Sequence, residues 1–320
     1  MRQLKSIGKL ILTVLLIILL INNFIQLCKR SKKSTYSTVG PVKWAIFSQV
    51  HKPPEFLKWL NWHQSLNPDK IWIVVENDQD LNIPQQNNVI VKRTTNLKGG
   101  SWGSQLDDRK TANFNQAADK LRKEGIEWMI IVDDDELING KNIANTLSKY
   151  PNDDCLIIKN FEAVFKNINE GDKCFSNNAK FLDCRKGKCL GYSNGKSWAR
   201  ISNPQIQQLG AHRQTGSKQC KNKYIPENEM SMLHFESCNF NKWNGKFKQI
   251  SKELDNKINF TEFNGNQEGF FKKFFPYYYK SAMEIKDIKD PQELKKFYHK
   301  YKVNPWKSQE AIQFDTLTNF

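Results

Sequence analysis

Residues Trp128-Met-Ile-Ile-Val-Asp-Asp-Asp-Glu136 carry five apolar side chains straight into four consecutive carboxylates. A short apolar run of this kind reads as a buried strand, because a strand covered on both faces shows no polar alternation. Ionised carboxylates at its end are costly to desolvate without a counter-charge. A hard divalent cation held by oxygen ligands is the usual counter-charge. Side chains alternate along an extended strand, so Asp133 and Asp135 are expected on one side, able to clamp one ion. Asp134 then faces away and is expected to be replaceable. The simpler alternative is a solvated acidic loop, and the position directly after a buried strand favours the cation.

The rest of the N-terminal half has the same texture. Val42 to Gln49, with Trp44-Ala-Ile-Phe47 at its centre, predicts a first strand. Glu55 to His63 follows Pro53-Pro54, and its apolar positions 56, 57, 59, 60 and 62 predict an amphipathic helix. Ile71 to Val75 predicts a second strand, ended by Glu76-Asn-Asp-Gln-Asp80, and Asn88 to Val91 a third. Thr111 to Glu124 predicts a helix, as does Pro291 to Lys302 near the end. Short strands alternating with helices imply an α/β layer fold with a mostly parallel sheet. Ligands of such sheets bind beyond the carboxyl ends of the strands, where both acidic runs would lie. After residue 150 the pattern turns irregular, which reads as an elaborated second half and not a second domain.

The first 40 residues differ in character. Leu10 to Ile21 is apolar except for Thr13, and Phe24, Ile25, Leu27 and Cys28 extend the trend. A helix over residues 7–28 would span about 33 Å, enough for a bilayer core of about 30 Å. The first alanine is Ala45, so no small-residue cleavage site follows the run. The segment is therefore expected to be an uncleaved signal anchor. Basic residues flank it on both sides, so charge does not set its orientation.

Cysteines do bear on orientation. Cys155, Cys174, Cys184, Cys189, Cys220 and Cys238 lie beyond the span, an even set suited to an oxidising lumen. Cys184 and Cys189 flank a hydrophilic loop that suits a small disulfide-closed turn. The sequon Asn259-Phe-Thr261 is compatible with a lumenal face. The net charge is +16, and the first 40 residues hold seven basic residues and no acid, leaving an excess of nine elsewhere. That excess is spread over many lysines, which suits anionic ligands such as a nucleoside diphosphate. A lumenal domain would not meet nucleic acid.

With these residues in place, the order of segments resembles the family-2-like and family-92-like glycosyltransferases of the GT-A fold. The resemblance rests on Glu55-Phe-Leu-Lys-Trp-Leu-Asn-Trp-His63, the strand ending at Glu76-Asn-Asp-Gln-Asp80, and Glu127-Trp-Met-Ile-Ile-Val-Asp-Asp-Asp-Glu136. Asp133, Asp135 and Glu136 match the family's Asp-x-Asp-Glu-aromatic motif, while Leu137 replaces the aromatic residue. Gly195-Lys-Ser-Trp-Ala-Arg200, Leu209-Gly-Ala-His-Arg213 and the stretch Leu233-His-Phe-Glu-Ser-Cys-Asn-Phe-Asn-Lys-Trp-Asn-Gly-Lys246 are similar to its later segments. The match covers roughly residues 42 to 250 and is loose between 150 and 190.

The resemblance implies a GT-A-like (Rossmann-like) mostly parallel sheet flanked by helices, a single lumenal domain behind an N-terminal transmembrane helix. The expected boundaries are a cytosolic tail at 1–6, a signal anchor at 7–28, a basic stem at 29–41, the transferase domain at 42–285 and a helical extension at 286–320. The implied activity moves a sugar from a UDP- or GDP-sugar to a glycan, glycoprotein or glycolipid. The implied place is the Golgi or another secretory-pathway membrane, in type II orientation. Asp133, Asp135 and Glu136 are the expected catalytic acids, and Asp133, Asp135 and His234 the expected ligands of Mn2+ or Mg2+. A nitrogen ligand tilts the preference toward Mn2+.

Asn77, Asp78 and Asp80 stand where the family places nucleoside contacts. Arg109 and Lys196 offer cationic donors for a diphosphate, and Arg200 and His212 rank with them. An inverting reaction would need a carboxylate base. Glu136, Glu162 and Glu236 are candidates, and the sequence does not choose among them. Trp102, Trp198 and Trp243 are candidates for stacking on sugars. Two other classes are weighed: a metal-dependent phosphotransferase or nuclease, and a non-catalytic glycan-binding membrane protein.

Overall fold

Alternate residues of three neighbouring strands part into two apolar clusters. Trp44, Ile46, Ile71, Ile73, Val75, Trp128 and Ile130 belong to one cluster, and Ala45, Phe47, Trp72, Val74, Met129 and Ile131 to the other. That period of two places one cluster on each face of a sheet. The computed structural model describes residues 41–302 except 52, 54, 96–103, 165–173, 176–179, 185–191, 211, 218–219, 222, 237, 239 and 256–275.

The strands and helices run in chain order: β1 (Trp44–Val50), α1 (Phe56–Ser65), β2 (Lys70–Glu76), β3 (Val89–Thr94), α2 (Ser104–Lys123), β4 (Trp128–Ile131), β5 (Glu136–Gly140) and α3 (Ile143–Ser148). They continue with β6 (Cys155–Val164), β7 (Lys180–Asp183), β8 (Lys196–Arg200), β9 (Gln207–Leu209), β10 (Arg213–Thr215), β11 (Lys223–Tyr224) and β12 (Met230–His234). Three helices follow: α4 (Phe240–Asp255), α5 (Pro276–Ile285) and α6 (Pro291–Lys302). Ten strands form one sheet in the order β3-β2-β1-β4-β8-β6-β12-β5, with β7 and β11 added on β6, and β9 pairs with β10 apart from it.

Helices cover both faces of the N-terminal half. Phe56, Trp59 and Leu60 bring α1 onto the first cluster, and Phe114, Ala117, Ala118 and Leu121 bring α2 onto the second. Covered on both sides, β1 is buried at all seven residues and β2 at six. At about 1.5–3 kcal/mol for each large apolar side chain removed from water, these clusters dominate the stability of this half. The carboxyl ends of β1, β2, β3 and β4 all point the same way, since these strands pair in parallel.

The expectation of a mostly parallel sheet is corrected. β8 runs antiparallel to both β4 and β6, β7 antiparallel to β6, and β5 antiparallel to β12, so the sheet is mixed. The physical reason lies in the second half of the chain. No described helix lies between β6 and β8, and a parallel neighbour needs a long crossover that usually contains one, so β7 and β8 come back antiparallel to β6. Gly195, at φ +74°, begins the turn into β8, and a Cβ there would sit 2.3 Å from the Ile158 carbonyl oxygen. Glycine is thus required for β8 to lie against β6.

A third apolar cluster joins Trp243, Phe247 and Ile250 of α4 to Ala282 and Ile285 of α5 and to Leu294 and Tyr298 of α6. It therefore spans the boundary expected at 285/286. Disulfides link Cys155 to Cys220 and Cys174 to Cys238. Cys184 is also disulfide-bonded, while Cys189 lies outside the described residues. The anchor expected at 7–28 lies outside the described residues, as do Asn259 and Trp102. Among the described residues, no helix is long and apolar enough to cross a membrane.

Candidate metal centre

β4 ends at Ile131, and Asp133 to Asp135 occupy a turn that leads into β5, whose first residue is Glu136. The Glu136 N–H donates to the Asp133 carbonyl (3.1 Å), and the Asp133 N–H donates to Glu136 Oε2 (2.8 Å). Trp59 Nε1 of α1 donates to the same Asp133 carbonyl at 3.0 Å, and the Phe235 N–H donates to the Asp135 carbonyl at 2.7 Å. The backbone of the acidic run is thus fastened from both sides. Because it is a turn and not extended strand, Asp133 and Asp135 do not share a face.

Asp133 is held by two lysines, Lys110 of α2 and Lys196 of β8, the latter at 2.7 Å. Burial would raise its pKa, but the two ammonium groups outweigh burial and hold the carboxyl well below the usual range. Lys196 has no exposed side-chain surface and also reaches Glu136 Oε2 at 3.1 Å. Glu136 accepts a further hydrogen bond from the Tyr192 hydroxyl. Its pKa is raised, chiefly by burial. Lys110, Asp133, Lys196, Glu136 and Tyr192 form one buried ionic row.

Asp135 faces elsewhere. Its carboxylate, His234 Nε2 and a Glu236 carboxylate oxygen offer three ligand atoms within 4.8 Å of one another. His234 Nε2 is 3.8 Å from Asp135 Oδ1 and 3.4 Å from Glu236 Oε2. The strand register explains how His234 comes to be aimed. It sits between Glu136 on β5 and Glu162 on β6. Its Nδ1–H donates to Glu162 Oε2 at 3.0 Å, which turns Nε2 toward the two carboxylates. Such a carboxylate–histidine pair fixes the ring and its tautomer in many metal sites. Burial alone would lower the His234 pKa; Glu162, then Asp135 and Glu236, raise it to about 9.

The donor set suits a divalent cation. Two carboxylates and one imidazole fit Mn2+ or Mg2+ with the nitrogen favouring Mn2+. The spacing closes on an ion about 2.0–2.5 Å from each atom after small side-chain movement. The expected trio of Asp133, Asp135 and His234 is therefore placed differently: Asp135 and His234 come together, Asp133 is paired with lysines, and Glu236 takes the third place. The sequence signal was present in His234-Phe-Glu236, since residues two apart in extended chain project to one side. Asp134, expected to be replaceable, accepts from Lys242 of α4 at 3.2 Å.

The other expected ligand-binding residues fall in three places. Glu76 ends β2, and Arg109 of α2 binds it through both carboxylate oxygens, at 2.8 and 3.3 Å. Asn77 follows in the left-handed region at φ 47°, and Arg93 donates to the carbonyls of Asp78, Gln79 and Leu81. This turn, with Asp80 exposed beside it, lies at the same sheet edge as the acidic turn. Asn113 Nδ2 donates to Gln49 Oε1 at 2.9 Å there, while Gln49 Nε2 is buried without a partner. Lys196 belongs to the ionic row and His212 lies beside it: His212 Nδ1 donates to the Gly195 carbonyl at 2.8 Å, and its ring is 4.4 Å from that of Tyr192. Burial, then Lys196, lowers the His212 pKa to about 3.

Arg200 is not in the site, contrary to expectation. It pairs with Trp128 across the strands, at the start of β4 and away from the acidic turn. It is buried, ion-paired to Glu127, and donates to the carbonyls of Tyr150 and Asp153. Trp198 and Trp243 are fully buried, so they are core residues and not surfaces for sugars.

The Fringe-like family model matches residues 61–180, less than half of the chain. No curated protein matches. Among solved structures, S. aureus TarS is similar at 12% identity and a TM-score of 0.35, covering 79% of this chain and 46% of that one. The chain thus spans about half the length of that protein. The TarS 1-349 structure is similar at 11% identity and a TM-score of 0.36, over 80% of this chain and 78% of that one. A Bacillus anthracis structure described as a glucose-1-phosphate thymidylyltransferase shows 12% identity and a TM-score of 0.27, over 50% of this chain and 72% of that one.

Proposed function

We propose that the chain is a divalent-metal-dependent glycosyltransferase of GT-A architecture that moves a sugar from a UDP- or GDP-sugar to a glycan acceptor. The observation that carries this reading is the convergence of Asp135, His234 and Glu236 beside the carboxyl edge of the parallel strands. The match of residues 61–180 to the Fringe-like model, a family of GT-A glycosyltransferases, supports the same activity. The finer family-2-like or family-92-like assignment rests on the Asp133 to Glu136 motif and the segments after residue 195, and belongs to this proposal.

A divalent cation supplies Lewis-acid stabilisation of the charge that builds on a departing diphosphate. The residues of this chain prepare that place. Asp135, His234 and Glu236 would hold the ion, and Glu162 keeps the imidazole turned toward it. The ionic row through Lys110 and Lys196 fixes the acidic turn, so Asp135 is presented without further ordering. Asn77, Asp78 and Asp80 would meet the nucleoside, with Gln49 Nε2 as a buried donor at the same edge. Of the three candidate bases, Glu136 is fully buried in the ionic row, and Glu162 and Glu236 serve the triad. The residues before 41 suit a signal anchor with the domain in the secretory lumen.

The test is a thermal-shift panel of UDP- and GDP-sugars with and without Mn2+, followed by donor hydrolysis. A donor that stabilises only with metal supports the reading. A protein that neither binds nor hydrolyses any common nucleotide sugar with Mn2+ present refutes it.

A further inference from the structure

Each triad carboxylate turns one oxygen inward and the other toward a lysine of α4. Asp135 Oδ1 faces His234 Nε2 at 3.8 Å, while Oδ2 lies 3.4 Å from Lys242 Nζ. Glu236 Oε2 faces the same nitrogen at 3.4 Å, while Oε1 lies 2.7 Å from Lys246 Nζ. Lys242 also reaches Asp134 Oδ1 at 3.2 Å. Lys242 and Lys246 stand one helical turn apart, so one face of α4 brings both ammonium groups to the triad. Trp243, Phe247 and Ile250, on another face of α4, hold the helix against α5 and α6.

The two lysines differ from Lys196 in one respect that matters for ligand exchange. Their side chains keep 23% and 17% exposure, whereas Lys196 keeps none. A lysine head on a flexible four-carbon stem can change partners at little cost when it reaches solvent.

We propose that Lys242 and Lys246 supply the counter-charge of the triad in its empty state and pass to the diphosphate of the donor when a cation enters. The proposal rests on the triad being the cation site. A divalent cation near Asp135 and Glu236 weakens both lysine pairs by like-charge repulsion. The phosphate oxygens that arrive with the cation then offer the ammonium groups a new charge-assisted partner. The lysine pair therefore opposes the bare cation and favours the cation together with a diphosphate, so that the two ligands bind as a unit.

The experiment compares the full chain with Lys242→Met/Lys246→Met. Mn2+ binding is read from the electron paramagnetic resonance of the free ion, and UDP and GDP binding by calorimetry at saturating Mn2+. The expected result has opposite signs: bare Mn2+ binds tighter by about three- to tenfold, and the better nucleotide binds weaker by about tenfold or more. Lys242→Arg/Lys246→Arg should return both values toward the parent chain. If Mn2+ and nucleotide binding weaken together, the lysines only hold the carboxylates in place, and the proposal is wrong. Unchanged nucleotide binding also overturns it. If the parent chain binds no Mn2+, the reading of the triad fails first and this proposal falls with it. Should the double variant not fold, Lys246→Met alone serves: Mn2+ should raise its melting temperature more than that of the parent, and an equal or smaller rise overturns the proposal.

Discussion

His234 Nδ1 lies 3.0 Å from Glu162 Oε2, and this one contact decides which ring nitrogen faces Asp135 and Glu236. Glu162 and His234 are register partners on adjacent parallel strands, so the sheet itself sets the tautomer. Glu162→Gln keeps the side-chain shape and can still bond the ring, but it removes the charge and the fixed acceptor. Mn2+ affinity should fall by about 10- to 100-fold while the circular dichroism spectrum stays native. Calorimetric titration with Mn2+ checks this, and an unchanged affinity removes Glu162 from the site.

Lys196 has a completely covered side chain and joins Asp133 to Glu136. Lys196→Met would take from the fully buried Glu136 the lysine it pairs with, and leave the partly exposed Asp133 with Lys110. Breaking a buried pair from one side costs about 3–5 kcal/mol. Urea unfolding should show a loss of that order, larger than for any single lysine on the surface. A loss under about 1 kcal/mol would mean that the ionic row contributes little.

His63 makes stability depend on pH. Its Nδ1–H donates to the Trp59 carbonyl at 2.9 Å and its Nε2 accepts from the Ile138 N–H at 3.3 Å, and the second bond needs the neutral ring. Burial, opposed by the Trp59 bond, lowers its pKa from 6.5 to about 3. The unfolded chain therefore binds the extra proton first, and folding is penalised as pH falls through 6.5 toward 3. His63 should remove up to about 1.4 kcal/mol of stability per pH unit in that window. His63→Gln should flatten this part of the curve, and parallel curves for the two proteins would rule the mechanism out.

Arg200 tests the correction made to its role. Arg200→Met should destabilise the fold, since it strands Glu127 and two carbonyls, by about 3 kcal/mol. Mn2+ and nucleotide affinities of the folded fraction should stay within about twofold of the parent chain. A selective loss of nucleotide binding would return Arg200 to the site.

The strands of the N-terminal half were legible because burial on both faces leaves continuous apolar runs, as in Ile71 to Val75 and Trp128 to Ile131. Their acidic ends were legible for the same reason, as abrupt changes of polarity. The partition of the acids was not. Strand alternation put Asp133 with Asp135, but the chain turns between Asp133 and Glu136, and only the turn separates them. The lysines that take up Asp133 and Asp134 come from α2, β8 and α4, between 23 and 108 positions away. No local pattern marks them among 49 basic residues. Arg200 misled because a cation after a family-like segment looks like a ligand donor, whereas antiparallel pairing carries it to the far end of β4. The mixed sheet was hidden because the short strands after residue 150 carry no signal of direction.

Metal-dependent donor binding is the central claim, and calorimetry of UDP- and GDP-sugars with Mn2+, then with excess EDTA, addresses it most directly. At least one donor should bind with Mn2+, lose measurable affinity in EDTA, and lose it equally in Asp135→Asn and Glu236→Gln. Asp133→Asn, at a carboxylate paired with lysines, should keep Mn2+ binding within a few-fold. Donor binding that persists in EDTA, or Mn2+ binding lost in Asp133→Asn but kept in Glu236→Gln, would contradict the assignment of the site.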